Sequence, residues 1–304
     1  MARKPKYIPH SEKNFSNVIT CKNCETQFSG KYCPNCGQSV HHLEQPFKFL
    51  VVDFLGNLFA FDTRFWKTFI ALLVYPAKYT EDYLNGKRAR YMPPFQFYVF
   101  ISFVFFLLLS TYLNKKIQIT EKAKNEISTS LNEQYLSDSI VTDTTKNYNI
   151  TIGLDEENDK KLAQTILFVM DNPGIYMNSF LKYFSWSLFL LMPIYAFYLW
   201  VFYHKRKKYY FSHLIFTINQ HAFIFLLFAL IISIKLIFPA RDYFPENYLF
   251  WILPVYLYMG QLMFYKRSWY GTFFRFVTSL FIYIFTLSMS LSIILLVWIK
   301  SEFL

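Results

Sequence analysis

The sequence predicts an all-α membrane protein of about five transmembrane helices with interfacial amphipathic helices, preceded by a small N-terminal module built on four cysteines. Three observations predict it. Of 304 residues, 54% are hydrophobic and 22% aromatic, above the apolar share of ordinary soluble domains. These residues gather in five long runs almost free of charge, while residues 1–45 and 114–162 are largely polar. The four cysteines, Cys21, Cys24, Cys33 and Cys36, all stand ahead of the first run.

Residues 1–20 read as a flexible N-terminus. They lack the apolar core of a secretory signal, so the first spanning helix is expected to direct insertion. Residues 21–38 read as a zinc ribbon. Cys-x2-Cys, eight residues, then Cys-x2-Cys is the spacing of two knuckles, each giving two thiolates to one tetrahedral ion. Lys22 and Asn23 fill one knuckle, Pro34 and Asn35 the other, and Gly37 follows the last ligand. Four thiolates close the coordination sphere, so the expected Zn2+ is structural and the metal ligands are Cys21, Cys24, Cys33 and Cys36. A thioredoxin-like redox pair would need alternating strands and helices that are not present around these residues. His41 and His42 lie close after the ribbon and could substitute as ligands, yet four cysteines already satisfy zinc, so they read as solvated.

Residues 46–92 read as cytosolic interfacial helices and a basic juxtamembrane segment. Phe47, Leu50, Val51, Phe54, Leu55, Leu58 and Phe59 recur at helical spacing. A second helix is expected to start at an Asp62 cap, with Phe65, Trp66, Phe69, Ile70 and Leu73 along it. Both are too short to span comfortably and suit the membrane interface. Gly86 reads as a helix stop, and Lys87, Arg88 and Arg90 after it are candidates for contact with anionic lipid or phosphate, or a topological anchor for the first span.

A bilayer core about 30 Å thick needs roughly 20 apolar residues at the helical rise. The expected spans are residues 95–113, 180–203, 213–238, 248–265 and 276–299, with residues 114–179 an extracytoplasmic polar insert. Asn114, Lys115 and Lys116 stop the first, and Lys205 to Lys208 stop the second. Lys182 and Lys235 lie near span ends where they can snorkel. The fourth is the shortest and contains Pro254. In the insert, residues 161–170 are the one stretch with amphipathic helical character.

Orientation follows from charge. With the N-terminus inside, residues 1–94, 204–212 and 265–275 hold 20 Lys and Arg against 7 Asp and Glu, and basic residues are retained on the cytoplasmic side. Reduced metal-binding cysteines agree with a cytosolic N-terminus, and the C-terminus then lies outside. The chain's net charge of +11 is explained by this distribution, so no nucleic acid is expected as a partner.

The ribbon with its CPNCGQ segment, Thr68 with Pro76, and the block Gly86-Lys87-Arg88-Ala89-Arg90-Tyr91 together resemble a bacterial zinc-ribbon multi-pass membrane protein family known only as a domain of unknown function. The likeness covers about residues 21–106 and implies architecture without an activity. In topology alone, the chain also resembles the Yip-family five-span membrane proteins.

Inside the spans, Asn219, Gln220 and His221 in the third and Gln261 in the fourth form a candidate intramembrane polar cluster. No acidic residue falls within a span, and no Gly-x-Ser-x-Gly, P-loop or His-Glu-x-x-His pattern occurs, so no catalytic residue is assigned and an enzyme is not expected. The expectation is a multi-pass cytoplasmic-membrane protein acting as a binding, scaffold or membrane-organising component, with the bilayer, anionic lipids and a protein held by the ribbon as partners. The alternative is a transporter or channel-like protein with a pocket around His221 and Gln261, and a lipid-handling membrane enzyme stands third.

Overall fold

The computed structural model describes residues 18–39, 64–135, 173–238 and 246–303. The expected first interfacial helix, the histidines at 41 and 42 and the helical stretch at 161–170 lie outside these residues. The chain divides into two compact units, Met1–Phe97 and Tyr98–Leu304, each taken by itself below. In chain order the elements are β1 (Ile19–Thr20), β2 (Gln27–Phe28), α1 (Arg64–Val74), α2 (Lys78–Leu84), α3 (Pro94–Tyr135), α4 (Pro173–Tyr203), α5 (Tyr210–Ile237), α6 (Glu246–Tyr265) and α7 (Trp269–Phe303).

In the first unit, β1 and β2 pair antiparallel with Ile19 opposite Phe28 and Thr20 opposite Gln27. Helix α1 turns Thr68, Ala71 and Leu72 inward and leaves Trp66, Ile70 and Val74 exposed. An exposed apolar stripe of this kind suits a helix lying in a membrane interface.

Helix α2 ends as its glycine foretells. Gly86 has φ +96°, the Gly86 amide bonds the Tyr83 carbonyl and the Lys87 amide bonds the Asp82 carbonyl. These are the paired bonds of a Schellman stop, which places a left-handed residue just past the helix. The chain leaving this stop is then tied back to both helices. The Met92 amide donates to Thr68 Oγ1 at 2.8 Å, and that hydroxyl donates to the Arg64 carbonyl at 2.8 Å. Tyr91 donates to Asp82 Oδ2 at 2.9 Å, Tyr79 donates to the Met92 carbonyl, and the two tyrosine rings meet edge to face with centroids 5.2 Å apart. Burial pushes the Tyr91 phenol up to about 12, reinforced by its bond to the Asp82 carboxylate, so it remains a neutral donor at physiological pH. The segment before the first span therefore has a fixed path.

In the second unit, α4 lies against α5 and α7, and α6 lies against α5 and α7 as well. Helix α3 meets α5 through Tyr98, Phe105 and Phe106, each against Phe225, and meets α4 through Phe106 against Phe184. Helix α5 is the most enclosed, while α7 exposes Phe274, Phe281, Ile284 and Phe285. Apolar faces of this size in a helical bundle call for hydrocarbon around them.

Among the described residues, five helices are long and apolar enough to cross a membrane: Pro94–Thr120, Ser179–Tyr203, Tyr210–Ile237, Tyr248–Tyr265 and Trp269–Ile294. The polar residues Asn114, Lys115 and Lys116 end the first apolar run but not its helix, which continues to Tyr135. Lys, Glu, Gln and Leu in that extension favour helix, so loss of hydrophobicity and loss of helix fall at different places.

Thr68 offers a sharp test of the tie to α1. Thr68→Val keeps the shape but leaves the buried Met92 amide without its acceptor, which should lower stability by about 1–3 kcal/mol. Thr68→Ser should recover most of the loss. Thermal unfolding of the detergent-solubilised protein checks both, and equal stability of the valine variant would show that the tie is dispensable.

Candidate metal centre

The two halves of the cysteine module repeat one backbone pattern. In the first, the Cys21 amide bonds the Thr26 carbonyl and the Glu25 amide bonds the Cys21 carbonyl, both at 2.9 Å. In the second, the Cys33 amide bonds the Gln38 carbonyl and the Gly37 amide bonds the Cys33 carbonyl, again at 2.9 Å. Glu25 and Gly37 occupy equivalent positions and both have left-handed backbones, φ +62° and +72°. Glycine meets that requirement without strain, and Glu25 does so at some cost.

These turns bring all four Sγ atoms within 4.8 Å of one another. Cys21 and Cys36 sulfurs are 3.6 Å apart, and those of Cys24 and Cys33 are 3.5 Å apart. A tetrahedral ion with metal–sulfur bonds of about 2.3 Å sets sulfurs about 3.8 Å from each other, so the cluster fits a metal ion. Cys21 and Cys33 are buried beside Phe28, with Cys24 and Cys36 partly covered, and no disulfide joins any of them. The thiols are tuned apart. The Thr26 side chain, 3.3 Å from Cys24 Sγ, and the Thr26 backbone lower the Cys24 thiol to about 6, while desolvation pushes Cys36 up to about 12. Asn35 Nδ2 donates to Thr26 Oγ1 at 3.2 Å and so links the two knuckles.

The module is fastened to the basic segment by Gln38. Its Nε2 donates to the Gly86 carbonyl at 2.7 Å, and its Oε1 accepts from the Ala89 amide at 3.2 Å. One side-chain amide thus serves the backbone on both sides of Lys87 and Arg88. The three basic residues of this segment have different surroundings. Lys87 is ion-paired to Asp82 at 3.4 Å, Arg88 lies over the Tyr83 ring at 5.2 Å, and Arg90 lies over the Tyr91 ring at 5.6 Å. Arg90 also lines an open cleft with Arg64 and Lys67, two cations that sequence reading assigned no site role. Their separation from Arg90 by more than twenty positions hid the grouping.

In the membrane helices, Asn219, Gln220, His221 and Gln261 are all buried. Gln220 Nε2 donates to the Leu257 carbonyl at 3.2 Å. His221 Nδ1 lies 2.9 Å from the Thr217 carbonyl and Nε2 lies 2.8 Å from the Tyr283 hydroxyl. Gln261 accepts from Tyr203 at 3.1 Å and donates to Tyr195 at 3.2 Å. His221 and Gln261 are therefore bridged by Tyr195, whose ring stands 6.0 Å from His221. A further histidine, His213, bonds the Tyr265 hydroxyl at 2.8 Å and the Lys207 carbonyl at 3.0 Å. The tyrosines were the missed partners. A tyrosine in an apolar run reads as aromatic filling, and only packing shows where its hydroxyl goes.

Residues 62–106 match a family model described as a protein of unknown function, DUF3667. The match takes in Arg64, Lys67, Thr68 and the Gly86–Tyr91 block, and agrees with the expectation of a family without an assigned activity. No curated protein and no solved structure matches the chain.

Metal binding at four cysteines must displace thiol protons, that of Cys36 among them, since desolvation holds it protonated. Affinity should therefore rise with pH between about pH 6 and 8, and loading should release protons. Below the Cys24 value of about 6, the proton on that thiol competes as well and the loss of metal should steepen. Competition with a chromophoric chelator across this range measures the slope, and a flat profile would contradict coordination by these thiols.

Proposed function

We propose that this chain is a non-enzymatic binding or scaffold component of the cytoplasmic membrane, in which a cytosolic zinc ribbon shapes the segment leading into the first span. The observation that carries this reading is the pair of Gln38 hydrogen bonds to Gly86 and Ala89. Gln38 also lends its carbonyl to the Cys33 knuckle, so one residue connects the metal ligands to the basic segment. Zinc is the proposed ion because four thiolates in tetrahedral array suit it and give a closed, structural site. Water or substrate would find no open coordination position, which directs the ribbon toward recognition.

The proposed orientation is N-terminus inside and C-terminus outside. Lys205 to Lys208 lie in the α4–α5 connection, and Lys266, Arg267 and Arg275 lie in or after the α6–α7 connection. His213 bonded to Tyr265 places both connections at one end of the bundle. Gathering seven cations there fits cytoplasmic retention of basic residues. The likeness to zinc-ribbon membrane proteins, and in topology to the Yip family, accords with a membrane-organising role.

Transport is the second reading. Thr217 Oγ1 and Gln220 Oε1 are buried with no hydrogen-bond partner among the described residues, and buried polar atoms in a bundle are expensive unless they meet a ligand or water.

The scaffold reading is tested by crosslinked affinity purification from native membranes, comparing the intact chain with a Cys33→Ser, Cys36→Ser variant. Zinc and a specific partner should be lost together while the bundle stays inserted. A partner retained at full yield after zinc is gone would overturn the reading.

A further inference from the structure

Among the described residues, four serine and threonine side chains are buried within the membrane helices: Ser187, Thr217, Thr272 and Ser279. Three of them donate to a carbonyl three or four residues back on their own helix, the ordinary resort of a hydroxyl in apolar surroundings. Ser187 bonds Phe184 at 2.8 Å, Thr272 bonds Ser268 at 3.1 Å and Ser279 bonds Phe276 at 3.0 Å. Thr217 does not. It is fully enclosed, and its Oγ1 has no hydrogen-bond partner among the described residues.

One turn along α5, the buried amide of Gln220 is half used. Nε2 donates to the Leu257 carbonyl on α6 at 3.2 Å. A carbonyl can only accept, so this bond fixes which end of the amide is nitrogen. Oε1 is then the end left over, buried and likewise without a partner among the described residues.

Residues three and four apart share a helix face, so Thr217, Gln220 and His221 look the same way. Gln220 reaches α6, and His221 reaches Tyr283 on α7, which sets this face toward the seam that those two helices make against α5. Unmet polar atoms in an apolar interior are costly, and one water molecule serves both of these. Thr217 donates to the water oxygen, and the water donates to Gln220 Oε1. Both atoms are neutral and no Asp or Glu falls within the five candidate spans, so the pair suits a neutral molecule better than a cation.

From this arrangement we infer that Thr217 and Gln220 form a binding site for a water molecule held inside the bundle between α5, α6 and α7. The site does not rest on the transport reading, because a closed bundle keeps a resident water as well as an open one does.

The experiment is X-ray hydroxyl-radical footprinting of the full chain in detergent, read by mass spectrometry. Irradiation turns bound water into hydroxyl radicals in place, and these oxidise the side chains beside it even where bulk solvent has no access. The parent is compared with a Thr217→Val, Gln220→Leu variant. His221 and Leu257 flank the pair and are buried, while Phe225 is equally buried but faces α3. Corrected for intrinsic reactivity, oxidation of His221 and Leu257 should exceed that of Phe225 in the parent and fall to the Phe225 level in the variant. Oxidation no greater than at Phe225 in the parent overturns the inference, as does oxidation that persists in the variant.

Should the double variant fail to fold, single substitutions decide. A hydroxyl that holds water contributes to stability, so Thr217→Val should lower the unfolding midpoint by about 2–4 °C and Thr217→Ser should lower it less. A dry hydroxyl predicts the opposite sign, and a midpoint that rises or stays with valine overturns the site.

Discussion

The first unit depends on one side-chain amide. Gln38 spans from the second cysteine knuckle to the turn after α2, giving a hydrogen to Gly86 and taking one from Ala89. Residues 18–39 contain a core of little more than Cys21, Phe28 and Cys33, far too small to hold a fold by burial alone. A metal ion would supply what the core lacks, because its binding energy is available only to the folded knuckles. Through Gln38 that energy reaches a segment fifty residues further along the chain.

The segment so held is also fastened from the other side. Thr68 receives the Met92 amide, Asp82 receives the Tyr91 hydroxyl, and Lys87 closes on Asp82. Thr68, Asp82 and Tyr91 are buried, and buried polar groups are costly to leave unmet. Pro93 and Pro94 follow immediately, and proline at the start of a helix sacrifices no needed bond. The path from the end of α2 to the start of α3 is therefore set largely by side-chain bonds.

Much of this architecture was legible in advance because it rests on local patterns. Cysteine spacing announced the knuckles, apolar run length announced five candidate membrane helices, and Gly86 announced the end of α2. What the sequence concealed depends on contacts between distant residues. Lys87, Arg88 and Arg90 look like one basic patch on paper, and folding sets each against its own partner, Asp82, Tyr83 and Tyr91, while Arg90 also lines a cleft with Arg64 and Lys67. Likewise, His221 and Gln261 suggested a polar cluster, but Tyr195, Tyr203 and Tyr283 complete its hydrogen bonds. The helix through Asn114 runs on beyond the apolar run to Tyr135, because a charge that ends a membrane-compatible run leaves helix propensity intact.

The central claim is that the metal-bound knuckles hold the juxtamembrane segment through Gln38, and the Ala89 amide reports on it directly. Hydrogen exchange of residues 85–92 should be measured in the metal-loaded protein, after chelation, and in a Gln38→Ala variant. The account predicts that chelation and the substitution each raise exchange at Ala89, and that chelation adds little in the Gln38→Ala background. Protection of Ala89 that survives chelation unchanged would contradict it.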